Sequence, residues 1–167
     1  QAGELARELL QGLADEAAEL VGEAVYRDPQ QAAVAQPAQI PAELQDFARQ
    51  ALAQAQRDPR WLAMLLGEYL SAPKDNVWFD SRQAQPWAPG LGVVLDRRSR
   101  MLYDAQHIFL NGEGFAVAGR DARLLRRLAD ARALSAADCA ALSAQAQAAL
   151  AEWAEAGWLL PTPGAGR

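Results

Sequence analysis

The sequence predicts a mostly α-helical protein with a small β component, arranged as two modules. Apolar residues recur at helical spacing over the first 71 residues, and short strand-like runs joined by turn residues follow between residues 91 and 117. Helical spacing returns after Gly119. Of the 167 residues, 51% are hydrophobic and 22% are charged, a composition that favours a folded chain. We therefore expect a helical module over residues 1–85 and a small α+β module over residues 86–167.

The first module is predicted to begin with an amphipathic helix from Glu4 to Ala24. Its apolar positions share one face, and acidic residues lie between them. A connection rich in proline and alanine follows from Asp28 to Pro41, where the prolines exclude a continuous helix. The residues that define the apolar face are Leu5, Leu9, Leu13, Ala17 and Leu20.

Two further helices complete the predicted helical module. Pro41 suits the first position of a helix that continues to about Gln56. Asp58 can cap a third helix, with Pro59 in its first turn and its end near Ser71.

The third helix carries an apolar stripe that is wider than one small neighbouring helix would cover. Two interpretations are open: the stripe forms the core of the helical module, or part of it is an interface between two copies of the chain. We treat it as the candidate homodimer interface. The residues of this apolar stripe are Trp61, Leu62, Leu65, Leu66 and Tyr69.

Four strands are predicted at the start of the second module. Runs at 91–95 and 101–104 are joined by a polar turn around Arg98, and two more runs cover 107–110 and 113–117. Asn111 and Gly112 predict a type I′ hairpin turn between the last two, because both residues tolerate positive backbone φ angles.

Three short helices are predicted to follow the strands. The first holds Leu124, Leu125 and Leu128, the second runs from Leu134 to Leu142, and the third runs from Ala146 to Ala156. Ser135 and Asp138 resemble a capping box for the second helix. Gly157 can end the third helix, with a short strand or tail at 158–160. Hairpins beside three short helices are typical of a winged-helix-like module.

The counts of histidine and cysteine exclude several kinds of site. His107 is the only histidine, so one chain cannot form the metal sites that need two imidazoles. Cys139 is the only cysteine, so it cannot form an internal disulfide, and we expect a reduced, cytoplasmic location and a core position. We name no catalytic, cofactor-binding or metal-binding residue. The apolar runs are too short for a membrane span, and we expect the chain to be an excised piece of a longer protein.

The charge is distributed unevenly along the chain. Residues 1–90 contain 7 basic and 13 acidic residues, a net charge of −6, whereas residues 91–167 contain 9 and 8, a net charge of +1. The densest basic cluster holds Arg120, Arg123 and Arg127 on one predicted helix face, the best candidate for contact with an anion or a nucleic acid. The overall charge of −5 and the acidic residues of the last helix argue against DNA binding.

Five short stretches that together span nearly the whole chain carry a family resemblance. They are the Leu9–Glu16 helix, Tyr26-Arg27-Asp28-Pro29, Gly67-Glu68-Tyr69-Leu70-Ser71, Asn111-Gly112-Glu113 and Ala156-Gly157-Trp158. In this order they resemble the C-terminal part of the cupin-type, JmjC-like ribosomal oxygenases, the bacterial ribosomal-protein arginine hydroxylases.

The resemblance implies a parent enzyme in which a β-helix domain binds Fe(II) and 2-oxoglutarate, a helical module makes the homodimer and a winged-helix module ends the chain. The His-x-Asp and distant His of that family have no counterpart here, so no iron or cosubstrate ligand is carried over. The chain itself is then a non-catalytic segment that serves homodimerisation and positioning of a ribosomal-protein substrate. The alternative is a stand-alone winged-helix regulator that touches DNA through its arginine face.

Overall fold

The computed structural model describes residues 2–22, 25–27, 36, 38–57 and 59–163. The chain divides into two units, Gln1–Leu65 and Leu66–Arg167. This division falls well before residue 85, where the sequence places the module boundary. The expectations for Pro29, Pro37 and the Asp58 cap lie outside the described residues.

The first unit is built from helices. They are α1 (Ala2–Val21), α2 (Ala42–Ala55) and the first part of α3 (Pro59–Ser71), which confirms the three predicted helices. Pro41 lies at the N-cap of α2 with φ of −59°, one position before the expected one. Helix α1 packs against α2, and the rings of Tyr26 and Phe47 lie 5.7 Å apart.

The second unit begins inside α3 and includes the irregular segment 72–91. Asp80 caps a 3-10 helix, Ser81–Gln83, within this segment. Arg98 Nη1 donates to Trp78 O at 2.7 Å, and Arg100 Nη1 donates to Ala72 O at 3.1 Å. Trp87 is buried and its Nε1 donates to Leu91 O at 3.1 Å. The two arginine bonds join the segment to the rest of the second unit, which explains why the division precedes residue 85.

Six strands follow: β1 (Gly92–Leu95), β2 (Met101–Tyr103), β3 (His107–Leu110), β4 (Glu113–Ala116), β5 (Ala133–Leu134) and β6 (Leu159–Thr162). They form two antiparallel three-stranded sheets with the orders β5-β1-β6 and β2-β3-β4. Strands β1 and β2 are therefore consecutive in sequence but lie in different sheets. The predicted Asn111-Gly112 turn is confirmed, with φ of 52° and 95° and Leu110 paired with Glu113.

Three helices accompany these sheets: α4 (Gly119–Ala131), α5 (Ala136–Ala140) and α6 (Ala144–Glu155). The prediction that Leu134 begins a helix is wrong. Arg132 adopts a left-handed conformation with φ of 59°, which ends α4, and Leu134 then pairs with Val93 of β1. The predicted cap of α5 is confirmed, because Ser135 Oγ accepts from Asp138 N at 3.2 Å.

The predicted C-terminal strand is confirmed as β6, which pairs with β1 along its whole length. Pro161 is tolerated because β6 is an edge strand. The hydrophobic core of the second unit is formed by side chains from both sheets and from α4, α5 and α6. Cys139 belongs to this core as expected, and burial raises the pKa of its thiol. The fully buried aliphatic side chains are Val93, Ile108, Leu110, Leu128, Leu150 and Leu159.

Gly67 allows α3 to approach β3 closely. A Cβ at this position would lie 2.3 Å from Cε1 of Phe109, whose side chain is only 2% exposed. We expect Gly67→Ala to lower the free energy of unfolding, because overpacking costs about 1–3 kcal/mol and exceeds the gain of about 1 kcal/mol in helix propensity. Chemical denaturation measures this difference.

The matched control is Gly3→Ala in the first turn of α1, where an added Cβ meets nothing within 4 Å. This variant should be as stable as the wild type or slightly more stable. An unchanged or raised free energy of unfolding for Gly67→Ala would contradict the close approach.

Candidate functional site

Helix α4 separates a buried apolar face from an exposed basic face. Ala122, Leu125 and Leu128 are buried. Arg120, Arg123 and Arg127 are all exposed, as their spacing predicts. The structure therefore brings together the three arginines that form the candidate anion contact.

Two of these arginines already have partners within the second unit. Arg127 forms an ion pair with Asp138, and Arg120 Nη1 donates to Ala141 O at 3.5 Å. The hydroxyl of Ser135, 2.6 Å from the Asp138 carboxylate, and the Arg127 guanidinium together lower the pKa of Asp138. Among the described residues, Arg123 has no polar partner. Only Arg123 is thus available to an external anion without loss of an internal contact.

A shallow depression of about 370 Å³ lies beside Arg120, between α4 and the start of α6. Asp121 accepts from Ser143 N at 3.0 Å and from Ser143 Oγ at 2.5 Å. Its carboxylate therefore lies at the N-terminus of α6, where an anion would otherwise be stabilised. An incoming phosphate would meet this fixed negative charge. The lining residues are Ala118, Arg120, Asp121, Ala141, Leu142 and Ser143.

Helix α6 has no basic side chain with which to approach a nucleic acid. Glu152 and Glu155 are exposed on it, and its sequence contains no lysine or arginine. Both charges would repel a phosphate backbone. The expectation that DNA is a poor ligand stays a prediction.

The apolar stripe is partly covered and partly exposed. Leu62 is 55% exposed and Tyr69 is 40% exposed, whereas Trp61, Leu65 and Leu66 are half-buried. Leu65 contacts α1, since a Cβ at Gly12 would lie 2.8 Å from Leu65 Cδ2. Each of the two interpretations thus fits part of the stripe, and its role as a dimer interface stays a prediction.

Other exposed apolar side chains were not identified from the sequence. Leu10 of α1 is 57% exposed, and Trp78 in segment 72–91 is 76% exposed. Leu52 of α2 is exposed although helical spacing assigns it to a buried face. The sequence predicts that Trp78 and Trp87 anchor the irregular connection from Lys74 to Gly90, but only Trp87 is buried.

His107 is a buried residue whose ring contacts Asp104 and Phe109. Its Nδ1 lies 3.1 Å from Asp104 Oδ2, and its ring is buried beside Phe109. Burial opposes ionisation of Asp104, but hydrogen bonds from Gln106 and His107 outweigh it and lower the pKa of that carboxyl. No group of three His, Cys, Asp or Glu in the described ranges could hold a metal ion. With one imidazole in the sequence, the donors do not fit the Fe(II) site implied by the family resemblance.

The hairpins and short helices of the second unit define a winged-helix protein. The sequence matches the ROXA-like winged helix family over residues 48–160. Because this match covers more than half of the chain, the chain belongs to that family. The resemblance to the winged-helix region of ribosomal oxygenases is thereby confirmed.

Solved structures with the same fold include E. coli YcfD, at a TM-score of 0.72 and 24% identity over 93% of this chain and 44% of that one. A second match is a structure of YcfD, a ribosomal oxygenase from Escherichia coli, in complex with cobalt and succinic acid. Its TM-score is 0.69, with 24% identity over 93% of this chain and 46% of that one. At this identity the likeness shows the fold, and the chain spans less than half of their length. No curated protein matches the sequence. No helix in the described ranges is long and apolar enough to cross a bilayer.

The ion pair between Arg127 and Asp138 can be tested by substitution of Arg127, with Arg123 of the same helix as the control. The Ser135 hydroxyl first, and the Arg127 guanidinium after it, lower the pKa of Asp138 in the folded state, so these contacts stabilise the fold above the ordinary pKa of 3.8. That contribution is lost as the pH falls through the lower folded pKa. We expect Arg127→Gln to reduce the free energy of unfolding at neutral pH by at most about 1 kcal/mol, since Arg127 is half exposed.

The difference between wild type and Arg127→Gln should shrink in acid, as measured by urea denaturation at neutral and acidic pH. Arg123→Gln is the control and should leave stability unchanged at both values. Equal effects of the two substitutions at neutral pH would show that the Arg127–Asp138 pair contributes nothing specific.

Proposed function

We propose that this chain is the non-catalytic segment of an Fe(II)- and 2-oxoglutarate-dependent ribosomal-protein hydroxylase, acting in the cytoplasm. Its role is homodimerisation and positioning of the ribosomal-protein substrate. The observation that carries the proposal is the match to the ROXA-like winged helix family over residues 48–160. The likeness to a structure described as a ribosomal oxygenase with cobalt and 2-oxoglutarate supports it, at a TM-score of 0.67.

The donor chemistry supports assignment of catalysis to another part of the parent protein. An oxygen-activating iron centre with two histidines and one carboxylate needs two imidazoles, whereas this chain has one. That imidazole is already bonded to Asp104. In this proposal the iron and the cosubstrate bind elsewhere in the longer polypeptide.

The exposed apolar side chains of the first unit support homodimerisation. Leu10, Leu52 and Leu62 lie on α1, α2 and α3, and each is more than half exposed. Small modules bury too little of their own surface to be very stable alone. In this proposal a second copy covers exposed apolar side chains of this unit, Leu62 of the apolar stripe among them.

The charge of the first unit predicts how salt affects this association. Residues 1–65 contain 5 basic and 10 acidic residues, a net charge of −5. Two such units repel each other at low ionic strength, and salt screens this repulsion without weakening apolar contacts. The dimer should therefore become tighter as salt is added.

Substitution within the stripe tests the dimer. Leu62→Asp places a charge on an exposed apolar position, and we expect it to weaken self-association at least about tenfold, the equivalent of about 1.4 kcal/mol. Size-exclusion chromatography with light scattering at several concentrations measures the change. Leu160→Asp on β6, which is 42% exposed, is the control and should leave association unchanged. A wild-type chain that stays monomeric at high concentration would remove the dimer from the proposal.

Catalysis is tested with the longer protein that contains this chain. Incubation with Fe(II), 2-oxoglutarate and ribosomal proteins should add one oxygen atom to a ribosomal protein, as detected by mass spectrometry, and Leu62→Asp should lower the rate. The sequence upstream of Gln1 should encode a β-rich domain with a His-x-Asp motif and a distant His. A parent without that motif and without 2-oxoglutarate turnover would refute the enzymatic assignment.

The alternative of a DNA-binding regulator rests on the winged-helix fold and on the unpaired Arg123. It predicts binding to duplex DNA that weakens steeply with salt, the opposite of the salt effect expected for the dimer. Absence of a mobility shift in a titration at low salt would eliminate it.

A further inference from the structure

The turn between β3 and β4 contains the dipeptide most prone to deamidation in this sequence. Asn111 is followed by Gly112, whose lack of a side chain leaves its backbone nitrogen free to reach the asparagine carboxamide. The only other asparagine, Asn76, is followed by Val77, whose branched side chain hinders the same attack. In an unfolded chain, Asn111 should therefore react far faster than Asn76.

The fold restrains the nucleophile of this reaction. Gly112 N donates to Ser71 Oγ at 3.0 Å, and the Ser71 hydroxyl in turn donates to Glu68 O at 3.2 Å. Ser71 is fully buried at the end of α3. Gly112 N must lose its proton before it can attack, and this hydrogen bond holds the proton in place and directs the nitrogen toward the serine.

The fold also restrains the electrophile. Asn111 is only 8% exposed. Its Oδ1 accepts from Arg100 N at 2.9 Å, and its Nδ2 donates to Ser99 Oγ at 3.3 Å. The carboxamide is therefore fixed at both ends and cannot rotate toward Gly112 N without breaking both bonds.

We propose that Asn111-Gly112 is a deamidation site that the folded second unit holds closed through Ser71. When the unit opens, Gly112 N gives its proton to hydroxide and bonds to Asn111 Cγ. The Cγ–Nδ2 bond breaks, ammonia leaves with a proton from water, and a succinimide ring forms. Water then opens the ring to aspartate or isoaspartate, so the net reaction consumes one water and releases one ammonia.

The product cannot restore the native turn. Aspartate replaces the Nδ2 donor to Ser99 with a carboxylate oxygen in a site that is almost fully buried. Isoaspartate also lacks that donor, because its main chain runs through Cγ and its former main-chain carbonyl becomes the free carboxylate. Isoaspartate also adds one carbon to the main chain of a two-residue turn, which disturbs the pairing of Leu110 with Glu113. A chain that has once opened for long enough is thus marked irreversibly.

The rate of deamidation in buffer and in unfolding urea tests the proposal. Peptide mass spectrometry of the full chain follows Asn111, with Asn76 as the internal reference, since it is already exposed in the fold. We expect Asn111 to react at least about tenfold faster in urea, because the folded chain must first open. The rate at Asn76 should change much less. Equal rates at Asn111 in buffer and in urea would overturn the proposal.

Two serine variants separate the hydrogen bond at the turn from general loss of stability. Ser71→Ala removes the acceptor for Gly112 N, whereas Ser143→Ala removes the cap of α6 away from the turn. The two variants are compared under conditions that give them the same free energy of unfolding. Asn111 should then deamidate faster in Ser71→Ala than in Ser143→Ala. Equal rates would refute the role of Ser71. If Ser71→Ala does not fold, amide exchange of Gly112 in the wild type decides, and a lack of protection there would refute it.

Discussion

A short chain of buried hydrogen bonds through Ser99 joins the two sheets of the second unit. Ser99 Oγ donates to Trp158 O at 2.9 Å, next to β6 of the first sheet. It also accepts from Asn111 Nδ2, in the turn of the second sheet. Ser99 and Asn111 are almost fully buried, so loss of either partner would leave a polar atom unsatisfied at a cost of about 1–3 kcal/mol. The relative placement of the two sheets depends on this connection.

Arg132 stabilises the turn between β1 and β2, which contains Ser99. Its Nη2 donates to Asp96 O at 2.7 Å and to Ser99 O at 3.2 Å, while its own carbonyl accepts from Leu95 N. These bonds fix the chain between β1 and β2 and direct the two strands into different sheets. The left-handed backbone of Arg132 also ends α4 and starts β5. One residue thus sets the end of a helix, the start of a strand and the shape of a loop.

The features that the sequence predicts correctly depend on neighbouring residues. The Asn111-Gly112 turn, the Ser135 cap and the end of α6 before Gly157 each follow from the conformational preferences of two or three adjacent residues. The prediction of a helix at Leu134 fails because the pairing of Leu134 with Val93 joins residues that are far apart in sequence. Such a pairing leaves no signal in the neighbouring residues. The partners of Arg120 and Arg127 could not be foreseen for the same reason. Helical spacing identified the arginine face, but only the fold shows that Asp138 and Ala141 lie within reach of it.

Six arginines of the second unit bind oxygen atoms within that unit. Residues 66–167 contain 11 basic and 11 acidic residues. These guanidinium groups bind carbonyl or carboxylate oxygens, most of them in turns and connecting segments that lack regular structure. A guanidinium that leaves such a partner for a phosphate gives up an internal bond for an external one, so the net gain in binding free energy is small. The residues that bind internally in this way are Arg98, Arg100, Arg120, Arg126, Arg127 and Arg132.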